Sequence, residues 1–500
     1  MAAMSTIAPR SRSTTRPGAD RRPVTTASSY ARPARVWQWL PYGLWAVFTA
    51  AYATISVARY DRLDVISWDL GIFSQAAQSY AERGYPVVDI KGPGFALLGD
   101  HFSPVVALWG PLWALAPSPV TLLISQAVVV AFSIVPIARV GIGLLGPAAG
   151  ISVGVAYGLS FGLQAAVDFD VHEYAFAAPL LALAGEAYLR RRWLPACRWA
   201  AGLVLVKEDL GLTVASIGVA LALAGARRWG VGLAVFGLAA TLLTLFVLIP
   251  AVSPDGGWDY WGRLGGAGDG SGGILGALLG LPAQLVTPGV KVETWLVTFG
   301  VTGFLALRSP WVIAVLPTML WRLGSDYEFY WGTDLHYSLV PMPIVFVALI
   351  DAVVRSRGAR SPGLRRYAVH APAVALAVAV VLCPRLPVAG LFSATTYADS
   401  PRERDAERVL ALLPDHTSVE TDIGLLAPLV ADHDVYFTGT NNGTDSVAVD
   451  WVVVDTTIGW DPGTDVVSWA EQRHPGAHYV EQPPVGRYLI ARRVTSGATS

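Results

Sequence analysis

Apolar runs of roughly 20 residues recur along the chain and alternate with short polar loops. This pattern constrains the fold more than any other feature of the sequence. Of the 500 residues, 53% are hydrophobic and 15% are charged, whereas a soluble globular protein carries about 25% charged residues. Because backbone polar groups inside a bilayer must be satisfied internally, such runs form helices. We therefore predict a mainly α, polytopic helical membrane protein.

The first 35 residues differ from the rest, because they carry seven arginines among Ser, Thr and Pro and have few apolar side chains. This composition predicts a disordered basic tail on the cytoplasmic side. A signal peptide is the competing interpretation, since Ala51-Tyr52-Ala53 resembles a cleavage site. The polar segment that precedes the apolar run is too long for a signal peptide, however, and residues 36–56 form a run long enough to span the membrane.

Arginine-rich loops stay in the cytoplasm, and they fix how the remaining runs thread the bilayer. Besides the tail, the inner side is fixed by residues 190–198, by Arg227 with Arg228, and by residues 355–366. Because two successive clusters both lie in the cytoplasm, the number of membrane-spanning runs between them must be even. This requires that one run, residues 102–116, does not cross, and that run is short and contains two prolines. The result is about eleven spans, with the N-terminus inside and the C-terminus outside.

The threading divides the chain into a transmembrane domain, residues 36–394, and a C-terminal region, residues 395–500. The first outer loop, residues 58–118, is predicted to lie at the membrane interface. In the C-terminal region, polar residues return and helix-like stretches alternate with strand-like ones. The helix-like stretches are 403–413, 423–431 and 466–473, and the strand-like ones are 418–421, 435–437, 451–455 and 488–492. This alternation predicts a small extracytoplasmic α/β domain.

Four polar segments share the predicted outer face, and together they are typical of an active site. They are residues 68–71, 168–173, 207–209 and 326–336. In the first of them, Asp69 is surrounded by apolar residues. A carboxylate in that setting can act as a catalytic base on an acceptor hydroxyl, with help from His101 in the same loop. The alternative is a helix N-cap, a position that Asp favours, and one residue can serve both purposes.

The second segment is the densest polar cluster, with Asp168, Asp170, His172 and Glu173 in close succession. We predict catalytic roles for Asp168 and Asp170. We predict substrate binding for His172 and Glu173. Alternating carboxylates and an imidazole could also hold a divalent cation, which is the one cofactor that the sequence suggests. The structural alternative is a solvated loop that caps the helix following it.

Three consecutive charges, Lys207, Glu208 and Asp209, interrupt an apolar hairpin in the third segment. Charged side chains at the edge of a membrane are costly unless they are paired or solvated, so we predict that these three residues bind substrate. The alternative is an ordinary hairpin tip at the interface.

Arg322 begins the polar loop that contains the fourth segment, and it departs from the positive-inside pattern. A phosphate ligand would explain it, because guanidinium binds phosphate through two N–H groups.

Several of these stretches resemble a bacterial family of polytopic membrane proteins catalogued as a domain of unknown function (twenty seventy-nine). The stretches that match are residues 68–75, 101–104, 168–179, 205–210 and 413–437. This resemblance covers nearly the whole chain and implies no settled activity. The layout is also similar to that of the C-type membrane glycosyltransferases. Those enzymes have acidic outer loops, many spans and often an extracytoplasmic C-terminal domain, and they take sugar from a polyprenyl phosphate carrier.

The second resemblance implies roles by position. Asp69 matches the first-loop acid, Asp168 or Asp170 the second-loop acid, and Arg322 a ligand of the carrier phosphate. The chain departs from many members of that class because no paired Asp-Asp or Asp-Glu is present at Asp69.

The function predicted from these features is sugar transfer from a polyprenyl-phosphate donor to an extracytoplasmic acceptor. The partners would be the lipid-linked donor and membrane lipids, without nucleic acid. The alternatives are a transporter or flippase of an envelope precursor, and a non-catalytic envelope assembly factor.

Overall fold

The computed structural model describes residues 35–63, 69–254, 256–258, 260, 280–442, 446–458 and 465–494. The predicted basic tail, apart from Arg35, and Trp68 of the first polar segment lie outside these residues. Helices make up most of the chain as far as residue 397, and a small sheet follows them. The predicted fold class, mainly α with a small C-terminal α/β part, is confirmed.

Fifteen of the described α-helices precede the C-terminal region, and several of them begin at a proline or after a Ser cap. The Ser118 and Ser361 side chains accept backbone N–H bonds at the starts of two of them, and Gly146, at a φ of 95°, separates two others. The helices are α1 (Arg35–Asp61), α2 (Asp69–Arg83), α3 (Trp109–Leu115), α4 (Pro119–Phe132), α5 (Ile134–Leu145), α6 (Pro147–Gly158), α7 (Phe161–Phe169), α8 (Ala177–Leu189), α9 (Trp193–Ala201), α10 (Leu210–Leu223), α11 (Arg227–Leu243), α12 (Gly289–Gly300), α13 (Leu316–Gly324), α14 (Pro341–Ser356) and α15 (Pro362–Leu382).

Six helical stretches among the described residues are long and apolar enough to cross a membrane. They are Trp37–Asp61, Pro119–Leu145, Pro147–Phe169, Arg227–Leu248, His336–Ser356 and Pro362–Arg385. The run that we predicted not to cross forms a shorter apolar helix, Pro104–Leu115. The several spans agree with a polytopic membrane protein. The count of eleven and the orientation remain predictions.

Charged side chains collect at two opposite ends of the helix bundle. Helices α8 and α14 both begin beside the acidic segments and end among arginines. At the arginine end, Glu186 of α8 accepts a hydrogen bond from Arg139 Nε at 2.9 Å. Asp351 of α14 accepts one from Arg355 Nε at 2.6 Å. The predicted acidic loops and the arginine clusters therefore lie at different ends of the same helices.

The C-terminal region forms a five-stranded sheet in the order β2-β1-β3-β5-β4. Strands β1 to β3 are parallel, and β5 is antiparallel to both of its neighbours. The strand missed by the sequence analysis is β4, which contains Pro483 and Pro484; proline is tolerated there because β4 is an edge strand. The elements are α16 (Pro401–Leu410), β1 (Ser418–Thr421), α17 (Leu426–Leu429), β2 (Asp434–Phe437), β3 (Trp451–Asp455), α18 (Val466–Arg473), β4 (Tyr479–Val485) and β5 (Tyr488–Arg493).

The sheet shares a hydrophobic core with α2, the first helix after α1. Leu70 and Ile72 of α2 belong to the same buried cluster as Val419 of β1 and Leu426 of α17. The approach is close, because a Cβ atom on Gly71 would lie 3.0 Å from the Leu426 Cβ. The C-terminal region is therefore packed directly against the segment that carries Asp69.

Candidate active site

Three of the four predicted polar segments meet around one buried imidazole, that of His172. The charges that act on His172 are those of Asp69, Glu173, Lys207 and His101. They come from the start of α2, the segment after α7, the segment before α10 and the loop that follows α2. The predicted convergence of distant acidic loops is thus present in the structure.

Asp69 and His172 approach each other across two of these segments. Oδ2 of Asp69 lies 3.6 Å from Nε2 of His172. The two side chains differ in access, since Asp69 is 29% exposed and His172 is 7% exposed. Nε2 of His172 has no hydrogen-bond partner at this distance. A bound hydroxyl that reaches the more open Asp69 carboxylate would therefore also meet an imidazole nitrogen able to bond to it.

Aromatic rings hold the His172 imidazole in place. It stacks on His336 with ring centroids 3.4 Å apart and on Phe169 at 5.6 Å. His336 brings the fourth predicted segment into the site. Burial lowers the pKa of His172, and this effect outweighs the opposite effects of Asp69 and Glu173. The ring is therefore neutral at pH 7.

Asp170 frames the site through two backbone contacts, and its catalytic role stays a prediction. Its Oδ2 accepts the backbone N–H of Leu70 at 2.9 Å, and its Oδ1 accepts that of Val171 at 2.8 Å. The first bond caps α2 from a distant segment and fixes the start of the helix at Asp69. Asp170 is 1% exposed, so these backbone contacts, and not a substrate, account for its burial.

Gln126 supports the same frame and was missed by the sequence analysis. Its Oε1 accepts the His172 backbone N–H at 2.9 Å, and its Nε2 donates to the Asp170 carbonyl at 2.5 Å. Gln126 is 2% exposed and lies in the middle of α4. Its sequence signal was a lone amide inside an otherwise apolar run.

Asp168 is turned toward Arg59 at the end of α1, which donates to both its carboxylate and its backbone carbonyl. Asp168, Asp170 and His172 therefore face three different partners, although they alternate in the sequence. Among the residues that the structure describes, no three His, Cys, Asp or Glu side chains are arranged to hold a metal ion. The described donors of this segment do not converge on one point, and the binding of a divalent cation stays a possibility suggested by the sequence alone.

Glu173 and Lys207 form a buried ion pair beside His172. Nζ of Lys207 lies 2.7 Å from Oε1 of Glu173 and 4.7 Å from the centre of the Tyr174 ring. Burial by itself raises the pKa of Glu173, but Lys207 and the neighbouring histidines together outweigh it and hold that pKa below its usual value. Burial would lower the pKa of Lys207, yet Glu173 and the acidic groups around it together raise that pKa well above its usual value. Both partners are therefore charged at pH 7.

Asp209 differs from its two neighbours because no cation pairs with it directly. Both of its oxygens accept from the Tyr174 hydroxyl at 3.1 Å. Burial, and then the charge of Glu208, raise the pKa of Asp209 to about 6. The three consecutive charges thus have three separate partners, and Asp209 is the one whose ionisation is costly.

Glu208 ties the first outer loop to this hairpin. Its Oε1 lies 2.7 Å from Nδ1 of His101, and its Oε2 accepts the Phe102 backbone N–H at 3.2 Å. The neighbouring Asp100 pairs with Lys91, whose Nζ lies 2.5 Å away. Lys91 and Asp100 were not singled out from the sequence as site residues. The ion pair of Lys91 and Asp100 therefore lies next to the contact between His101 and Glu208, and together these contacts hold the first outer loop against the hairpin.

Arg322, which we predicted to bind phosphate, holds a loop together through its guanidinium. The guanidinium donates to the carbonyls of Tyr330 at 3.0 Å, Gly332 at 2.8 Å and Tyr337 at 3.2 Å. It is fully buried. A phosphate would compete with these carbonyls for the guanidinium, and the role of Arg322 as a phosphate ligand stays a prediction.

A family model described as a predicted membrane protein, DUF2079, matches residues 59–491. The chain belongs to this family. The match extends from the end of α1 to β5, so it includes both the helices that form the site and the C-terminal sheet. Among proteins with curated functions, none matches the chain in sequence.

The fold is similar to that of a solved membrane protein. The crystal structure of ArnT from Cupriavidus metallidurans bound to undecaprenyl phosphate aligns with a TM-score of 0.54. The alignment covers 93% of this chain and 100% of that one, at 13% sequence identity. The similarity to the architecture of C-type membrane glycosyltransferases is therefore confirmed for the fold as a whole.

Proposed function

We propose that this protein is a membrane-embedded glycosyltransferase. It would move a sugar from a polyprenyl-phosphate donor to an extracytoplasmic hydroxyl acceptor. The observation that carries the proposal is the partly exposed Asp69 carboxylate, 3.6 Å from the neutral His172 ring and next to the charge of Lys207. The ArnT-like fold supports the choice of donor, since that relative was crystallised with undecaprenyl phosphate.

In the proposed reaction, Asp69 takes the proton of the acceptor hydroxyl. The acceptor oxygen forms a bond to the anomeric carbon while the bond from that carbon to the phosphate oxygen breaks. The polyprenyl phosphate leaves with the bonding electrons, and general base catalysis of this kind is worth about a hundredfold to ten-thousandfold in rate. His172 orients the acceptor through its unpartnered Nε2.

Lys207 is the group suited to the leaving phosphate, because positive charge near a developing anion stabilises the transition state. Its ammonium acts electrostatically on both His172 and Tyr337, which supports a role beside them in the site. The ion pair with Glu173 holds the Lys207 ammonium in this position. Glu208 and His101 would position the first outer loop, and Asp168 and Asp170 would fix the segment between α7 and α8.

The proposal includes the topology predicted from the sequence. With about eleven spans and the N-terminus inside, the acidic end of the bundle and the C-terminal sheet lie outside the cytoplasm. The arginine end, with Arg139 and Arg355, then faces the cytoplasm. A cysteine in place of the exposed Glu82, in the predicted first outer loop, should react with an impermeant reagent from outside, whereas one in place of the exposed Arg192 should not.

A turnover measurement separates this function from transport. The purified chain in proteoliposomes is given a polyprenyl-phosphoryl sugar and a hydroxyl acceptor, and the released polyprenyl phosphate is measured against the glycosylated product. The proposal expects the two to appear in equal amounts. Movement of the lipid-linked sugar across the bilayer without any release of polyprenyl phosphate would indicate a transporter instead.

A further inference from the structure

The arginine end of the helix bundle carries a large excess of positive charge. Residues 137–150, 184–200 and 351–366 together contain ten arginines and two acids, Glu186 and Asp351. Both acids already accept hydrogen bonds from arginines, so most of the positive charge in these segments has no acid to balance it. Like charges that share one surface repel each other unless an anion neutralises them. This end of the bundle is therefore suited to an anionic partner.

Two of these arginines share a single carboxylate. Oε1 of Glu186, on α8, accepts from Nε of Arg139 at 2.9 Å and from Nε of Arg190 at 3.0 Å. The Arg139 side chain, on α5, is 40% exposed, and that of Arg190 is 29% exposed. One negative charge thus faces two positive charges, and both guanidinium groups can be reached from outside the protein.

A third arginine joins this pair at the carboxyl end of α5. Arg357 follows α14, and its Nη2 donates to the Leu144 carbonyl at 3.0 Å. Nη2 of Arg190 approaches the preceding residue, since a Cβ atom on Gly143 would lie 3.9 Å from it. Gly143 is exposed, and no other described group lies within 4 Å of that Cβ position, so this surface is open. Both guanidinium groups keep several N–H donors that no described residue accepts.

The neighbouring part of α1 has the side chains of a membrane interface. Tyr42 acts electrostatically on Arg139, and Trp39 lies beside Tyr42 with ring centroids 5.9 Å apart. Trp39 is 72% exposed. Exposed Trp and Tyr side chains are typical of the level of the lipid head groups. Val47, farther along the same span, is 65% exposed, as expected for a side chain that contacts acyl chains. The arginine cluster therefore borders lipid.

We propose that Arg139, Arg190 and Arg357 bind the phosphate head group of an anionic phospholipid. Guanidinium groups hold phosphate oxygens through paired N–H donors, and basic pockets between membrane helices bind anionic head groups. Glu186 balances one of the three charges, so a net negative head group completes the cluster better than a zwitterionic one. The lipid would join α5, α8 and α14 at the end of the bundle opposite to Asp69. This binding goes beyond the proposed sugar transfer and does not depend on it.

The test is a titration of the purified full chain in detergent, followed by native mass spectrometry. The probes are phosphatidylglycerol and phosphatidylcholine, which both contain a phosphate but differ in net charge. Wild type should bind phosphatidylglycerol about tenfold more tightly. Arg190→Gln and Arg357→Gln should each weaken that binding about fivefold. Both variants should unfold close to the wild-type temperature, because Glu186 keeps Arg139 as its partner.

Arg198→Gln is the matched control, because it removes the same charge from an exposed arginine of α9 outside the cluster. Phosphatidylglycerol binding that weakens in Arg190→Gln and Arg357→Gln but not in Arg198→Gln supports the proposal. An equal loss in Arg198→Gln would indicate attraction by net charge alone and would overturn it. Equal binding of the two lipids, or no lipid bound to wild type, would also overturn it. Displacement of phosphatidylglycerol by inorganic phosphate at comparable concentration would make the cluster a site for a soluble anion instead.

Discussion

The carboxylate of Asp69 lies 3.6 Å from Nε2 of His172, although one residue begins α2 and the other follows α7. Two buried groups hold them at this distance. Asp170 accepts the backbone N–H of Leu70, and Gln126 accepts that of His172. The pair is therefore fixed through the backbone, while the Asp69 side chain keeps access to solvent. This combination of a fixed frame and a reachable carboxylate is what a positioned base requires.

Asp168→Asn tests whether Asp168 acts only through Arg59. The two side chains are 27% and 29% exposed, so their pairing should contribute no more than about 1 kcal/mol to stability. We expect a small drop in unfolding temperature and a transfer rate per folded molecule within about threefold of wild type. The variant Arg59→Gln should show the same small drop in unfolding temperature and a similar transfer rate. A complete loss of transfer with an unchanged unfolding temperature would restore the catalytic role predicted from the sequence.

Lys207→Met should be strongly destabilising because it leaves the buried Glu173 without its cation. Breaking a buried pair by removing one partner typically costs about 3–5 kcal/mol. The double variant Lys207→Met with Glu173→Gln should recover much of that stability but no activity, since the positive charge is still missing. Denaturant unfolding and the transfer assay measure the two effects separately. Full activity in the double variant would remove Lys207 from the proposed phosphate site.

Asp209 should make stability fall as the pH rises from 5 to 8. Its pKa is raised from 3.8 to about 6 in the folded protein, so folding favours the protonated form. The stabilisation is full below the unfolded pKa and is lost as the pH passes through about 6. We expect a loss on the order of 1–2 kcal/mol, because Asp209 is only partly buried. Thermal unfolding of Asp209→Asn should lack this loss, whereas Glu82→Gln should retain it.

Arg322→Lys should loosen the loop between α13 and α14. Lysine cannot reach all three carbonyls that the guanidinium bonds, so about 2–3 kcal/mol of stability should be lost. Limited proteolysis should then cut residues 325–338 faster. The exposed Arg308→Lys provides the control and should change neither property. A stable Arg322→Lys protein that no longer binds polyprenyl phosphate would support the phosphate role predicted from the sequence.

The sequence allowed the meeting of distant loops to be predicted, because charge patterning sorts loops by membrane side. That argument brought His172, Lys207 and Glu208 to one end of the bundle, where the structure has them. It could not predict which side chains pair. Asp168 and Asp170 alternate in the sequence, yet the break between α7 and α8 turns one toward Arg59 and the other toward α2.

Two further contacts could not be predicted for a similar reason. Arg322 was predicted to bind phosphate because it departs from the positive-inside pattern, but the carbonyls of the following loop fold back around it. Gln126 was passed over because a single amide does little to the hydropathy of α4. The contacts of Arg322 and of Gln126 both depend on which distant backbone segment packs against the side chain, and a local sequence pattern does not contain that information.

The role of Asp69 can be measured directly with Asp69→Asn. The purified variant is compared with wild type and with Glu82→Gln, an exposed acid in the same helix, for release of polyprenyl phosphate from the donor. We expect the rate for Asp69→Asn to fall by about a hundredfold or more, with an unfolding temperature close to that of wild type. Glu82→Gln should keep the wild-type rate. Transfer at the wild-type rate by a folded Asp69→Asn protein would contradict its assignment as the base.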